Sequence, residues 1–198
     1  MTSSAPPRNG TVFKLDRNRV ETVLCSFTGP GPSTNSALIK HQQGNLYGVT
    51  GAGPRYDPGS VFKLDPKGNE TVLYQFTMAA DGGSPTGALI RDKAGNLYGT
   101  TYAGGNQDTL CGGASFGCGV VFKVDTHGNE TVLYTFTGLA DGANPASGLF
   151  PVRTSSRTYE LYGTAQFGGN LNCLQGPGYG CGTIFKLTLP ADTAFDPQ

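Results

Sequence analysis

The sequence predicts an all-β fold: a β-propeller-like array of four-stranded blades holding about three full repeats. Three observations predict it. Four short apolar elements recur in one order along the chain. Glycine supplies 31 of 198 residues while charged residues make up only 14%, against a typical ~25%, a profile suited to short strands joined by tight turns. Glycine also interrupts every candidate helical window within a few residues, which disfavours helix throughout.

Taken in order, the first element is Ala37-Leu38-Ile39, Ala88-Leu89-Ile90 and Gly148-Leu149-Phe150. The second is Asn45-Leu46-Tyr47-Gly48, Asn96-Leu97-Tyr98-Gly99 and Glu160-Leu161-Tyr162-Gly163. The third is Val12-Phe13-Lys14-Leu15, Val61-Phe62-Lys63-Leu64, Val121-Phe122-Lys123-Val124 and Ile184-Phe185-Lys186-Leu187. The fourth, Glu-Thr-Val-Leu, starts at Glu21, Glu70 and Glu130 and runs on to Phe27, Phe76 and Phe136. Each run is short, β-branched or aromatic, and bounded by Gly, Asn, Asp or Pro, as strands are. Turns such as Asp65-Pro66-Lys67-Gly68-Asn69 set φ with Pro and place Gly where φ is positive.

Four strands per unit of roughly 50 residues is the period of a propeller blade. The Ala-Leu-Ile element is then innermost and Glu-Thr-Val-Leu outermost. Residues 10–187 form one tandem-repeat domain, with units at roughly 10–27, 37–76, 88–136 and 148–187; 1–9 are expected to be a disordered N-terminal segment and 188–198 a C-terminal tail. Three and a fraction blades fall short of the four to eight of a closed ring. The expectation is a stretch of a longer protein, a ring completed by self-association through open strand edges, or a β-trefoil, which three four-stranded units close naturally.

The run Gly95-Asn96-Leu97-Tyr98-Gly99-Thr100-Thr101, Ala103-Gly104-Gly105 and the Val-Phe-Lys and Glu-Thr-Val-Leu-Tyr elements resemble the GloVer-type tandem repeat family of bacterial choice-of-anchor proteins, over roughly Gly10 to Leu187. The resemblance implies export and a repeat architecture, and it carries over no catalytic residue. No anchor is visible in residues 188–198, and Met1 to Arg8 lack the apolar centre of a leader, so the expectation is that the leader was removed or that the chain is part of a longer one.

Cys111 and Cys118 bracket one insertion between second and third strands; Cys173 and Cys181 bracket the equivalent one. The simplest reading is one local disulfide per insertion, in an oxidising compartment. Pairing across the two loops and a zinc site are the rivals, the latter without a short Cys-x₂₋₄-Cys interval or a nearby His. Cys25 stands where Tyr74 and Tyr134 stand in later units, and reads as a buried apolar side chain.

The long connections, 77–86, 137–146 and the two Cys loops, alternate with tight turns, so an up-and-down blade projects them all from one face, where binding residues tend to sit. Candidate ligand-binding residues there are Asp81, Asp141, Asn144, Tyr102, Phe116, Phe167 and Tyr179. Asp81 and Asp141 offer calcium or sugar ligands, although repetition at equal positions favours a turn role and no Asp-x-Asp-x-Asp calcium loop occurs. The aromatics offer faces for sugar rings or anchors for Gly-rich loops. His41 and His127 fall in tight turns, so no Ser-His-Asp or Cys-His site is expected. Fourteen basic residues balance fourteen acidic ones without a patch, which argues against nucleic acid, and no apolar run approaches the ~20 residues of a membrane helix.

The reading is a secreted or cell-surface, non-catalytic binding or scaffold module with a glycan or protein ligand, no metal and no cofactor. The alternatives are a propeller-type hydrolase or lyase using carboxylates such as Asp81, Asp108 and Asp141, and a structural repeat assembling edge to edge.

Overall fold

The structure, a computed structural model, describes residues 10–27, 36–51, 58–107, 111, 116–155, 158–173, 180–190 and 193–195. The segment 1–9, Asp108 and Tyr179 lie outside the described residues. All regular elements among the described residues are strands, and they group by repeat unit. β1 (Thr11–Leu15) and β2 (Glu21–Ser26) form a two-stranded ribbon. β3 (Ile39–Lys40), β4 (Leu46–Thr50), β5 (Ser60–Leu64) and β6 (Glu70–Gln75) form a four-stranded antiparallel sheet in chain order. β7 (Gly83–Arg91), β8 (Leu97–Ala103), β9 (Val120–Val124) and β10 (Glu130–Thr135) repeat it. In the last sheet β11 (Ala143–Pro145) and β12 (Phe150–Arg153) both pair with β13 (Tyr159–Gly169), which pairs with β14 (Gly180–Thr188) on its other side.

Each unit pairs only with itself, in the order the repeat predicts. That is the arrangement of propeller blades, and the trefoil alternative, whose units share a common barrel, does not describe it.

The repeat elements acquire physical reasons here. The glycine of Leu-Tyr-Gly lies beneath the phenylalanine of Val-Phe-Lys: a Cβ at Gly99 would stand 2.7 Å from the Phe122 ring. Phe62 and Phe122 are accordingly fully buried. In all three third-to-fourth strand pairs the register shifts at the same place, so Leu24, Leu73 and Leu133 each bulge between paired neighbours. The extra residue bends the outer strand, and these leucines pack against three separate core clusters. Asp65 and Asp125 fold the tight turns by accepting the backbone N–H groups of Lys67 and Asn69, and of His127 and Asn129.

Neighbouring blades are joined by one recurring contact. The phenylalanine that closes a fourth strand stands edge-on to the third-strand phenylalanine of the next unit: Phe27 to Phe62 at 5.2 Å, Phe76 to Phe122 at 5.0 Å and Phe136 to Phe185 at 4.9 Å. At the inner end the backbones nearly touch. A Cβ on Gly87, whose φ is +71°, would lie 2.3 Å from the Gly148 nitrogen. After β14 the chain crosses the tight-turn side, where Phe195, 2% exposed, packs between Tyr98 and Tyr159.

Candidate functional site

The two Asp-Gly-x-x-Pro segments are built alike. Asp81 accepts hydrogen bonds from the Tyr74 hydroxyl at 3.0 Å, the Thr77 N–H at 2.8 Å and the Thr77 hydroxyl. Asp141 accepts the equivalent three from Tyr134, the Thr137 N–H and the Thr137 hydroxyl. Each carboxylate thus ties its long loop to the strand the loop has just left. Burial raises the Asp141 pKa, but the bonds from Thr137 and Tyr134 outweigh it and hold the carboxyl below its usual range. Burial, then the bond to Asp81, pushes the Tyr74 hydroxyl well above the usual phenol range.

Three residues further on, each segment meets the blade before it. Ser84 and Asn144 both have positive φ, at 51° and 53°. Their N–H groups donate to Pro58 and to Cys118. The next residues, Pro85 and Pro145, lie over Gly59 and Gly119.

Asn144 is the centre of the best-formed part of this face. It is 1% exposed, and its side-chain amide donates to the Tyr102 carbonyl at 2.7 Å and to the Gly117 carbonyl at 3.3 Å. Tyr102 belongs to β8, and burial raises its hydroxyl pKa. The adjacent loop is closed by a disulfide between Cys111 and Cys118, both fully buried. Phe116 carries the loop's exposed ring, 36% accessible, while its carbonyl accepts the Gly104 N–H. Phe167, on β13, pairs across the sheet with Ala143 and packs against the core. The second disulfide, Cys173 to Cys181, pins the equivalent loop of the last blade. Both pairings are therefore local, and two disulfides suit an oxidising environment.

The structure thus gathers Asn144, Tyr102 and Phe116 around one disulfide loop, sets Phe167 across the sheet from Ala143, and leaves Asp81 and Asp141 in separate units. Cys25 is a free, half-buried thiol packed against the first cluster, its pKa raised by burial and then by Glu70. His127 stands in its turn, its side chain 84% exposed. Among the described residues no group of three His, Cys, Asp or Glu is placed to hold a metal ion, and no helix is long and apolar enough to cross a membrane.

One residue of this region escaped the sequence reading. Glu130 begins β10, and burial followed by the charge of Asp81 in the previous unit pushes its pKa up to about 7. Its Oε1 is buried without a hydrogen-bond partner. The signal was its recurrence: Glu70 is likewise raised by burial.

The family model described as the Gloeobacter/Verrucomicrobia repeat matches residues 1–195. No curated protein matches the chain in sequence. Among solved structures, a luciferin-regenerating enzyme is similar with a TM-score of 0.57 at 14% identity, over 94% of this chain and 53% of that one. A protein assigned as a gluconolactonase has a TM-score of 0.46 at 16% identity, over 93% of this chain and 56% of its own. The chain spans about half the length of these structures, and likeness at such identity concerns the fold alone.

Proposed function

The chain belongs to the Gloeobacter/Verrucomicrobia repeat family, and from that premise we propose that it is an exported, non-catalytic binding or scaffold module whose glycan or protein ligand meets the long-loop face. One observation carries the reading: the described ends of the long loops on that face are tied down. Disulfides close two of them, and Asp81 and Asp141 tie down two more with three hydrogen bonds each. Loop ends held in advance leave less freedom to lose on binding. The same bonds occupy Asp81 and Asp141, two of the three carboxylates the hydrolase or lyase alternative names, which weighs against that alternative even though a propeller-like enzyme shares the fold.

The test is a glycan array followed by calorimetric titration of any glycan retained. Saturable binding that weakens at least tenfold in Phe116→Ala, at unchanged melting temperature, supports the reading. Turnover of an ester, lactone or glycoside that disappears in Asp141→Asn would sink it.

A second reading, edge-to-edge assembly of the array, is favoured by the exposure of Ile184 at 76% and Phe13 at 53% on its two outermost third strands. Solution mass across a range of concentrations tests it.

A further inference from the structure

One docking event is repeated along the chain, and β14 carries its receiving half alone. In β1, β5 and β9 the strand is paired with a Glu-Thr-Val-Leu strand in one register and with one bulge. The leading residues Val12, Val61 and Val121 are there 3%, 0% and 0% exposed. Ile184 holds the same position in β14 and is 76% exposed: among the described residues no further unit covers its face, as the next unit covers Val12, Val61 and Val121, and no strand pairs with the far edge of β14.

The chain itself vacates that edge. After β1, β5 and β9 an aspartate folds the tight turn into the fourth strand, as Asp16 does by accepting the Asn18 and Val20 N–H groups. Thr188 replaces it after β14. Leu189 instead donates its N–H to the Tyr159 carbonyl at 2.9 Å, and Lys93 donates to Ala194 at 2.7 Å, leading the chain away over the tight-turn side.

Beside the open edge lies a groove of about 250 Å³, lined by Tyr134, Ala140, Asp141 and Thr183 to Leu187, with Val121 at its base. One unit earlier, the counterparts of Tyr134 and Asp141 are Tyr74 and Asp81, and the charge of Asp81 reaches Glu130 of the following fourth strand. The groove thus lies at the Tyr134 and Asp141 pair, whose counterparts one unit earlier are joined by the Tyr74 to Asp81 hydrogen bond.

We propose that β14 and this groove are a docking site for an extended Glu-Thr-Val-Leu-Tyr-x-Phe strand donated by another polypeptide carrying the same repeat. The strand adds antiparallel to β14, a mode in which main-chain hydrogen bonds supply affinity and alternate side chains supply specificity. The register follows from β9 and β10: its Glu faces Leu187, Thr faces Lys186, Val faces Phe185 and Tyr faces Ile184, with the Leu as the bulge. The proposal rests on the edge-assembly reading only in using the same edge, and is independent of the loop-face reading.

The probe is a fluorescein-labelled peptide with the sequence of residues 129–138, titrated into the full chain by anisotropy, with amide shifts mapped by NMR. The expected result is saturable binding, shifts concentrated at residues 183–188, and at least tenfold weaker binding in Ile184→Lys. That side chain is exposed, so an unchanged melting temperature is expected alongside. A peptide with its Val replaced by Lys is expected to lose binding to a similar extent. The proposal is overturned if a scrambled peptide binds equally, or if the β14 amides stay silent at saturation. It is also overturned if no binding is seen while concentration-dependent oligomers form, an outcome that would leave edge assembly standing without it.

Discussion

The ring of Phe76 stands edge-on to the ring of Phe122, with centroids 5.0 Å apart and both side chains almost wholly buried. Phe76 closes one blade, and Phe122 lies in the third strand of the next. Edge-to-face geometry is worth roughly 0.5–1.5 kcal/mol beyond area burial. Phe76→Ala is expected to lower unfolding free energy by about 3–5 kcal/mol, read from urea denaturation. Phe150→Ala, at a ring 61% exposed, is expected to change it by less than about 0.5 kcal/mol.

The Asp141 staple gives an acid-side dependence. Its pKa is depressed in the folded protein, so its contribution is present above the unfolded carboxylate pKa and is lost as pH falls through the folded value. Asp141→Asn is expected to cost about 1–2 kcal/mol at pH 7. The cost should shrink below pH ~4, as followed by thermal melts across a pH series.

Glu130 has the opposite sign. Its folded pKa, about 7, lies above its ordinary 4.5, so its contribution is full below the unfolded value and is lost as pH rises through 7. Glu130→Gln is expected to gain about 1 kcal/mol over wild type at pH 8.5 and almost nothing at pH 5, the figure being reduced because the group is partly open to solvent. A gain of equal size at both pH values would show that the carboxylate is not desolvated.

Reductant should discriminate between the two disulfides. Cys111 and Cys118 are fully buried, whereas Cys181 is exposed. Timed alkylation under dithiothreitol is expected to label Cys173 and Cys181 first, since exchange requires access to a sulfur. Removing either bridge by paired serine substitution is expected to cost about 2–3 kcal/mol, given loops of this length.

Strand order and the pairing of Cys111 with Cys118 were legible in the sequence because both are local: a period of two along a strand and a loop of a few residues leave their marks side by side. The turn role of the repeated aspartates was legible for the same reason. The bulges at Leu24, Leu73 and Leu133 were not, because a bulge does not alter the residue pattern that announces a strand. Nor was the seat of Asn144 beneath Tyr102, formed between residues in different blades. Glu130 was overlooked as a charged strand end; only the stacking of one unit on another buries it. Phe195 has no counterpart in other units, so no repetition announced its place between Tyr98 and Tyr159.

The near-contact of Gly87 with Gly148 has a consequence for shape. The last two units are separated by bare backbone at their inner ends and by whole phenylalanine rings further out. Each unit is thus a wedge, thin toward the inner strands, and wedges laid side by side make an arch. The bend of that arch is written in side-chain volume, glycine within and phenylalanine without. A methyl group at position 87 would act like a shim at the narrow end, opening the arch without touching a single residue of the loop face.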